Sequence, residues 1–353
     1  MEYSMRKFSL AAIALILVSA CSGSSGTKLL ETGSSLVYPL MNGWVAAYQK
    51  THPTIQITTQ STGSGTGIAQ AVSGVAQIGA SDAYMSDGQL VQGKMLNIPL
   101  AISAQQINYN IPGLNTSHLN LSGPVLAGIY SGTIKMWDDA QIKALNAALA
   151  AKLPHETIIP VHRTDGSGDT FIFSQYLAFS TPSWKNGPGF GTSISWPPVP
   201  TAVGANGNPG MVQTCQNTKY SIAYIGVSFL NQTNSAGLGF AALQNRAGAF
   251  VLPTDATISA AANIMSAKTP ADERISLIFA PGANSYPIVN YEYAIVNPKQ
   301  ANAQVASDLT TFLNWAIDPT GGNSATYLNP VHFIALPAAI VAKSRAQIAS
   351  IKA

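Results

Sequence analysis

Short apolar runs alternate with amphipathic stretches along the chain, and this alternation predicts an α/β fold. Residues 36–50 carry apolar side chains at helical spacing and follow Ser34 and Ser35, which are candidate N-caps. The β-branched run at residues 55–59 predicts a strand. Further strands are predicted at residues 78–80, 158–162 and 286–297, and further helices at residues 68–75, 141–152, 170–178 and 301–317.

One segment breaks this alternation. Residues 183–210 are rich in proline and glycine and include the run Trp196-Pro197-Pro198-Val199-Pro200. Proline removes backbone donors and glycine weakens regular structure, so this composition is typical of irregular chain. We expect a long surface loop inside one lobe of the protein, not a linker between domains.

The first residues have the pattern of an export signal. Arg6 and Lys7 precede an uncharged apolar run at residues 8–20, as in a secretory signal peptide. A helix of that run covers roughly 20 Å, which is short of the ~30 Å hydrocarbon core of a bilayer. The run ends in Leu17-Val18-Ser19-Ala20-Cys21, which resembles the lipobox of bacterial lipoproteins. That resemblance implies a signal peptide over residues 1–20, a lipid (palmitate) on Cys21 and a tether over residues 21–34.

Composition excludes several function classes. Only 9% of the 353 residues are charged, the net charge is +3, and no run of Lys and Arg exceeds two, so a nucleic-acid footprint is absent. The chain has two cysteines, Cys21 and Cys215. If Cys21 is acylated, an internal disulfide and a cysteine metal site are both impossible. The histidines show no metal spacing, and we expect no metal and no cofactor.

Three segments far apart in sequence share one pattern, a Ser/Gly turn that opens a helix. They are Thr32-Gly33-Ser34-Ser35, Thr62-Gly63-Ser64-Gly65-Thr66-Gly67 and Asp165-Gly166-Ser167-Gly168-Asp169-Thr170. Helix N-termini present unpaired N–H groups and roughly half a positive charge, and glycine lets a ligand approach the backbone closely. One such turn is usually only a cap. Three of them, if they converge, predict a pocket for a small oxyanion.

The charged residues near these turns favour an anion that carries a proton. Arg163, two residues before the third turn, can bind a tetrahedral oxyanion through parallel hydrogen bonds, and Asp165 can hold its guanidinium from the far side. Asp82 and Asp169 are acidic, but phosphate at neutral pH keeps at least one O–H that needs an acceptor. Sulfate has no such proton, so these carboxylates would repel it. The residues therefore favour phosphate over sulfate.

Several longer motifs resemble those of PstS-type phosphate-binding subunits of the bacterial ABC phosphate importer, closest to the mycobacterial phosphate-binding lipoprotein branch. They are Gly63-Ser64-Gly65, Ile78-Gly79-Ala80-Ser81-Asp82-Ala83, Thr133-Ile134-Lys135-Met136-Trp137-Asp138-Asp139, His162-Arg163-Thr164-Asp165-Gly166-Ser167-Gly168-Asp169-Thr170-Phe171, Ala223-Tyr224-Ile225-Gly226 and Asn290-Tyr291-Glu292-Tyr293. The resemblance spans nearly all of the chain that follows the signal.

This resemblance implies a two-lobed periplasmic-binding-protein (type II) fold with phosphate between the lobes. We expect residues 35–105 and 292–353 to form lobe 1 and residues 106–291 to form lobe 2. The two hinge strands are expected near residues 105–111 and 287–295.

The resemblance also implies the binding residues. Ser35 and Leu36 would offer backbone N–H groups. Arg163 would supply the positive charge, and Asp82 would accept the phosphate proton. The full predicted set is Ser35, Leu36, Ser64, Asp82, Arg163, Ser167, Gly168 and Asp169.

The sequence departs from this family pattern at three places. Many relatives have Phe at Leu36 and Thr at Asp169. The second carboxylate predicts a preference for the doubly protonated anion or a more acidic optimum. The related lipoprotein branch has a disulfide where this chain has Cys215 and Ser221, so that bridge is expected to be lost.

The implied protein is not an enzyme. It is a phosphate-binding lipoprotein of the cell envelope, exposed to the periplasm or the exterior, whose partners are phosphate, an ABC permease with its ATPase, and the membrane. Three alternatives stay open at this point: a receptor for another oxyanion such as sulfate or molybdate, a hydrolase that uses Ser167 beside His162, and a surface adhesin that merely keeps the fold.

Overall fold

The computed structural model describes residues 26–90 and 94–353. The predicted signal peptide, Cys21 and the first part of the tether therefore lie outside the described residues. Within the described ranges, no helix is both long and apolar enough to cross a bilayer.

The strands are short except for one long strand that passes through the centre of the protein. In chain order they are β1 (Thr27–Gly33), β2 (Ile55–Ser61), β3 (Ile78–Ser81), β4 (Leu96–Tyr109), β5 (Asn120–Leu121), β6 (Ile159–Arg163), β7 (Val203–Ala205), β8 (Ser221–Gly226), β9 (Gly239–Phe240), β10 (Ala242–Gln244), β11 (Phe250–Val251) and β12 (Val289–Val296).

Helices pack against the strands of the main sheet. They are α1 (Tyr38–Thr51), α2 (Ser64–Val72), α3 (Asp87–Leu90), α4 (Gly123–Tyr130), α5 (Ala140–Leu145), α6 (Gly168–Ser180), α7 (Pro182–Asn186), α8 (Gly207–Asn217), α9 (Leu230–Ser235), α10 (Asp255–Ser266), α11 (Ala303–Ala316), α12 (Ala325–Leu328) and α13 (Ala338–Ile348), with 3₁₀ turns at Ala147–Lys152, Val227–Phe229 and Asn329–Val331.

The order of strands in the main sheet explains the two lobes. The order is β2-β1-β3-β12-β4-β8-β6-β7, and β9 pairs with β4. The long strand β4 pairs with β12 over Leu96–Ala104 and with β8 over Gln105–Tyr109, in both cases antiparallel. We call the part that contains β1, β2 and β3 the first lobe, and the part that contains β6, β7 and β8 the second lobe. The predicted two-lobed α/β fold is confirmed.

The parallel strands of both lobes determine where a site can form. β1 runs parallel to β2 and β3, and β6 runs parallel to β7 and β8. In open α/β sheets, ligands bind beyond the carboxyl ends of such strands. The carboxyl ends of β1, β3 and β6 lead directly into Ser34, Asp82 and Thr164. The fold therefore positions the predicted turns at strand ends in both lobes.

Two of the predicted glycine-turn helices begin earlier than their apolar pattern indicated. Helix α2 begins at Ser64, not at residue 68, because Gly63 has φ +89 and ends the extended chain there. Gly67 lies inside α2 where an added Cβ would collide with the backbone oxygens of Thr32 and Ala80, so close packing requires glycine. Helix α6 begins at Gly168 with Ser167 as its N-cap.

Two other predictions are corrected in part. The helix predicted over residues 141–152 is interrupted at Asn146, whose side chain donates to and accepts from the backbone of Asn120 in β5. The predicted loop at residues 183–210 contains the end of α7, the edge strand β7 and the start of α8. Its irregular part is confined to residues 187–202, where the prolines are concentrated.

Candidate anion-binding site

The three predicted glycine turns meet between the lobes. Gly65 N donates to Gly166 O at 2.9 Å, which joins the second turn to the third across the cleft. Thr62 N and Gly63 N donate to Gly33 O at 2.9 and 2.7 Å, which joins the second turn to the first. The convergence inferred from the shared sequence pattern is therefore present in the structure.

Gly168 lies at a close contact between the lobes. An added Cβ at this position would collide with Asp82 Oδ2 and with Ser64 Oγ. Ser64 Oγ lies 3.3 Å from Asp82 Oδ2 and also accepts from Asp82 N at 3.3 Å. The N-terminus of α6, which favours negative charge, thus faces the carboxyl of Asp82.

Arg163 supplies the only positive charge that the described residues place in this cluster, and it is 4% exposed. Its Nε donates to Asp165 Oδ1 at 2.7 Å, and a second nitrogen bonds the other Asp165 oxygen. A third nitrogen, Nη1, donates to Asp169 Oδ2 at 2.7 Å. Burial lowers the pKa of Arg163, but the two carboxylates outweigh it and raise this pKa above its ordinary value. The guanidinium is therefore held ionised and fixed in orientation.

The carboxyl of Asp169 accepts hydrogen bonds from three side chains. Besides Arg163, it accepts from Gln105 Nε2 at 3.0 Å and from Asn208 Nδ2 at 2.7 Å. Burial and the charge of Asp82 raise the pKa of Asp169 to about 7, while Arg163 and the two amides act in the opposite direction. Asp169 therefore positions the guanidinium as well as lining the cleft.

Asn208 connects the first turn to the charged cluster, and the sequence analysis missed it. Its backbone N and its Nδ2 both donate to Ser35 Oγ at 3.0 Å, and its Oδ1 accepts from Gly226 N at 2.9 Å. The signal was present: Asn206-Gly207-Asn208 is a fourth polar glycine turn that opens a helix, α8, and Gly207 has φ +61.

The side chain of Leu36 packs against Gly226 of the second lobe. An added Cβ at Gly226 would collide with that side chain, so the two lobes fit closely there. The backbone N of Leu36 donates to Ser34 Oγ at 3.0 Å, and its carbonyl accepts from Ser228 Oγ at 2.7 Å. Ser34, considered only as a cap, also bonds the carboxyl of Asp82.

Asp82 lies across the cleft from Arg163, and none of the described residues bonds a cation to it. It is 3% exposed, and burial followed by the charge and contact of Glu292 raises its pKa well above the ordinary value. Ser34 and the more distant charge of Arg163 lower it. Glu292 is fully buried on β12, and burial raises its pKa as well. Glu292 belongs to the sequence motif Asn290-Tyr291-Glu292-Tyr293 but was not among the predicted site residues, although a carboxylate inside a buried strand is itself a signal.

The predicted residues are thus all buried at the junction of the lobes. The set comprises Ser35, Leu36, Ser64, Asp82, Arg163, Ser167, Gly168 and Asp169.

Ser167 and His162 do not form a catalytic pair. Ser167 Oγ accepts from Thr170 N at 3.1 Å, and the His162 ring stacks on Trp196 at 5.0 Å between centroids. Each side chain has a partner other than the other one, so the hydrolase alternative loses its geometric basis.

The position of the family's missing disulfide is also visible. Cys215 is a buried free thiol, and Ser221 Oγ lies 3.2 Å from its sulfur. A hydrogen bond therefore occupies the place that the resemblance assigns to a bridge.

Sequence comparison identifies relatives over nearly the whole chain. A family model described as a PBP superfamily domain matches residues 19–320. A protein named phosphate-binding protein PstS from Methanocaldococcus jannaschii is 33% identical, over 92% of this chain and 89% of its own length. The PstS protein of Haemophilus influenzae is 33% identical, with 92% and 93% covered. The protein named PstS 3 from Mycobacterium leprae is 31% identical, with 84% and 80% covered.

Solved structures share the fold at lower identity. A high-affinity periplasmic phosphate-binding protein (PfluDING) bound with phosphate has a TM-score of 0.71 at 21% identity, with 91% of this chain and 93% of that chain covered. A phosphate-binding protein from Stenotrophomonas maltophilia has a TM-score of 0.69 at 20% identity, with 91% and 94% covered. These structures support the two-lobed architecture.

Proposed function

The chain belongs to the PstS family of phosphate-binding proteins within the PBP superfamily, and from this membership we propose that it captures inorganic phosphate between its lobes and delivers it to an ABC importer. One observation carries the proposal. The buried guanidinium of Arg163, anchored by two carboxylates, lies on one side of the cleft, and the buried carboxyl of Asp82, which no cation of residues 26–90 and 94–353 bonds, lies on the other. This pair matches an anion that still carries a proton.

Each predicted ligand has a role in this proposal. Arg163 binds phosphate oxygens with its charge, and Asp82 accepts the phosphate proton. The remaining residues donate hydrogen bonds or line the cleft: backbone N–H groups of Ser35, Leu36 and Gly168, hydroxyls of Ser35, Ser64 and Ser167, and the carboxyl of Asp169.

Phosphate would be held by groups from both lobes, so ligand contacts would favour the closed arrangement. In the proposal, lobe 1 comprises residues 35–105 and 292–353, lobe 2 comprises residues 106–291, and the chain crosses near residues 105–111 and 287–295. The continuous strand β4, which pairs with strands of both lobes, supports the first crossing. The closed form is the one that a permease would recognise.

The proposal includes export and anchoring. Residues 1–20 would be removed as a signal peptide, and Cys21 would carry the lipid that holds the protein at the membrane surface through the tether at residues 21–34. Mass spectrometry of the mature N-terminus tests this part. An unmodified N-terminus other than Cys21 would contradict anchoring without affecting phosphate capture.

Isothermal titration of residues 22–353 with phosphate tests the function itself. We expect saturable binding of one phosphate per chain, and no release of a hydrolysis product from phosphate esters. Absence of any phosphate affinity would contradict the proposal and would favour a protein that keeps the fold for another purpose.

A further inference from the structure

The cleft holds more buried acid than its single arginine can neutralise. Asp82, Asp169 and Glu292 are each at most 3% exposed, and Asp165 lies beside them on Arg163. Since an unpaired buried carboxylate is strongly destabilised, part of this acid must carry protons. Arg163 stabilises the charges of Asp165 and Asp169, whereas no described cation bonds Asp82 or Glu292, so these two carboxyls are the first to hold a proton.

Glu292 approaches Asp82 from a hinge strand. Its Oε1 accepts from Asn290 Nδ2 at 3.0 Å and from Ser103 Oγ, which lies on the neighbouring strand β4. Its Oε2 is buried and receives no donor from any described residue. Ser81 on β3 pairs with Tyr293 on β12, so Asp82 and Glu292 are the next residues along this antiparallel pair. Asn290 Nδ2 donates both to Glu292 Oε1 at 3.0 Å and to the carbonyl of Asp82 at 3.4 Å, and the charge of Glu292 raises the pKa of Asp82. Two buried carboxyls on neighbouring chain segments share a proton, because both cannot be ionised side by side.

We propose that Glu292 is a positioning residue for phosphate recognition, which holds the proton that it shares with Asp82 and so leaves Asp82 free to accept the proton of bound phosphate. This inference rests on the proposed function and assigns it a second carboxyl. When phosphate binds, the O–H bond on Asp82 breaks and an O–H bond on Glu292 forms. The proton stays inside the pair, and Glu292 then donates to Asp82.

The surroundings of Glu292 allow this exchange. Asp82 faces it from the end of β3, and Asp169 on α6 adds a second negative charge. Burial and the charge of Asp169 oppose ionisation of Glu292, whereas Asp82, Ser103 and Asn290 favour it. Arg163 and Ser34 favour ionisation of Asp82. The balance lets the proton move from Asp82 to Glu292 once a phosphate O–H offers Asp82 a new donor.

Glu292→Gln is the informative variant. The Gln carbonyl keeps the bonds from Ser103 and Asn290, and its NH₂ donates to Asp82 as the protonated acid would. We expect its phosphate affinity at about pH 7 to stay within roughly threefold of the wild type. Glu292→Ala removes the donor and leaves Asp82 without it, so affinity should fall by roughly tenfold or more at every pH.

The pH profile separates this role from a merely structural one. Because the wild-type pair can lose its shared proton and Gln cannot, the ratio of the wild-type to the Glu292→Gln dissociation constant should rise with pH. The rise should approach tenfold per pH unit once the pair ionises. Calorimetry in two buffers of different ionisation enthalpy gives the protons exchanged as a second measurement.

Glu31→Gln is the matched control. Glu31 is also fully buried with a raised pKa, but it lies on β1 and no described donor bonds its carboxyl oxygens. The ratio of the wild-type to the Glu31→Gln dissociation constant should therefore not change with pH. A constant ratio for Glu292→Gln, or loss of binding equal to that of Glu292→Ala, would overturn the role of Glu292 while wild-type phosphate binding stood. Failure of the wild type to bind phosphate would instead overturn the proposed function.

Discussion

The two walls of the cleft neutralise buried acid in different ways. On the second lobe, Asp165 and Asp169 are bonded to Arg163, and this wall is a network of paired charges. On the first lobe, Asp82 has hydroxyl groups and the carboxyl of Glu292 around it, and no described cation bonds it. The wall on the second lobe is therefore expected to attract the negative charge of a ligand. The wall on the first lobe is expected to favour a ligand that carries a proton.

This difference follows from the chemistry of burial. A carboxylate paired with arginine keeps its charge, because the attraction and hydrogen bonds compensate for lost hydration. Arg163 accordingly counteracts the burial of Asp165 and leaves its pKa below the ordinary value, whereas the pKa of Asp82 is raised by burial and by Glu292. A site that combines both walls binds an anion and favours one that carries a proton for Asp82 to accept.

Removing the charge of the second wall should have the largest effect. Arg163→Gln deletes the cation and leaves Asp165 and Asp169 buried without it. We expect phosphate affinity to fall by at least roughly a hundredfold, and the free energy of unfolding to fall by about 3–5 kcal/mol. Calorimetry and chemical denaturation measure the two effects.

Arg274→Gln is the control for this variant. Arg274 also bonds two aspartates, Asp87 and Asp272, but they are exposed. Its loss should change stability by no more than about 1 kcal/mol and leave binding intact. Equal losses in both variants would contradict a special role for Arg163.

Removing the acceptor of the first wall should have the next largest effect. Asp82→Asn replaces an acceptor by a group that can donate, so the phosphate proton loses its partner. We expect phosphate to bind roughly tenfold to a hundredfold more weakly, while sulfate binds no more weakly than to the wild type. Titrations with both anions decide this. An equal loss of affinity for both would show that Asp82 does not distinguish anions by whether they carry a proton.

Asp169→Asn should have a smaller effect, since Asp165 still holds Arg163. We expect affinity to fall by about tenfold or less. The second carboxylate is expected to favour the doubly protonated anion, so wild-type affinity should rise as pH falls toward about 7 and level off below it, where Asp169 itself becomes protonated; this dependence should be weaker in the variant. Identical pH profiles would remove the idea.

Glu31→Gln should not affect the cleft at all. Burial raises the pKa of Glu31 from 4.5 to about 8, so its ionisation destabilises the fold as pH rises between those values. The variant should match the wild type below about pH 4.5 and exceed its free energy of unfolding by on the order of a few kcal/mol above about pH 8. Denaturant titrations at both pH values test this, and a difference independent of pH would contradict it.

Much of the first wall and of the second could be predicted from local sequence. The Ser/Gly turns, Arg163 and Asp82 each lie where a strand ends or a helix begins, and such ends carry short-range signals. The starting residues of α2 and α6 were less predictable, because glycine is a poor helix former, and here close backbone packing at Gly67 and Gly168 requires it.

The residues that were missed act across long distances in the chain. Gln105, Asn208 and Glu292 reach Asp169, Ser35 and Asp82 only after the sheet has formed. Their types gave a hint, since Gln105 and Glu292 are polar residues inside buried strands. Which partner each would find depends on strand order and register, and local periodicity does not contain that information.

Competition calorimetry of sulfate against phosphate on the wild-type protein, near neutral pH, tests most directly whether the cleft selects an anion that carries a proton. We expect that sulfate fails to displace phosphate until it is present at roughly ten to a hundred times the concentration or more, because sulfate has no proton for Asp82. Displacement by sulfate at concentrations comparable to phosphate would contradict it.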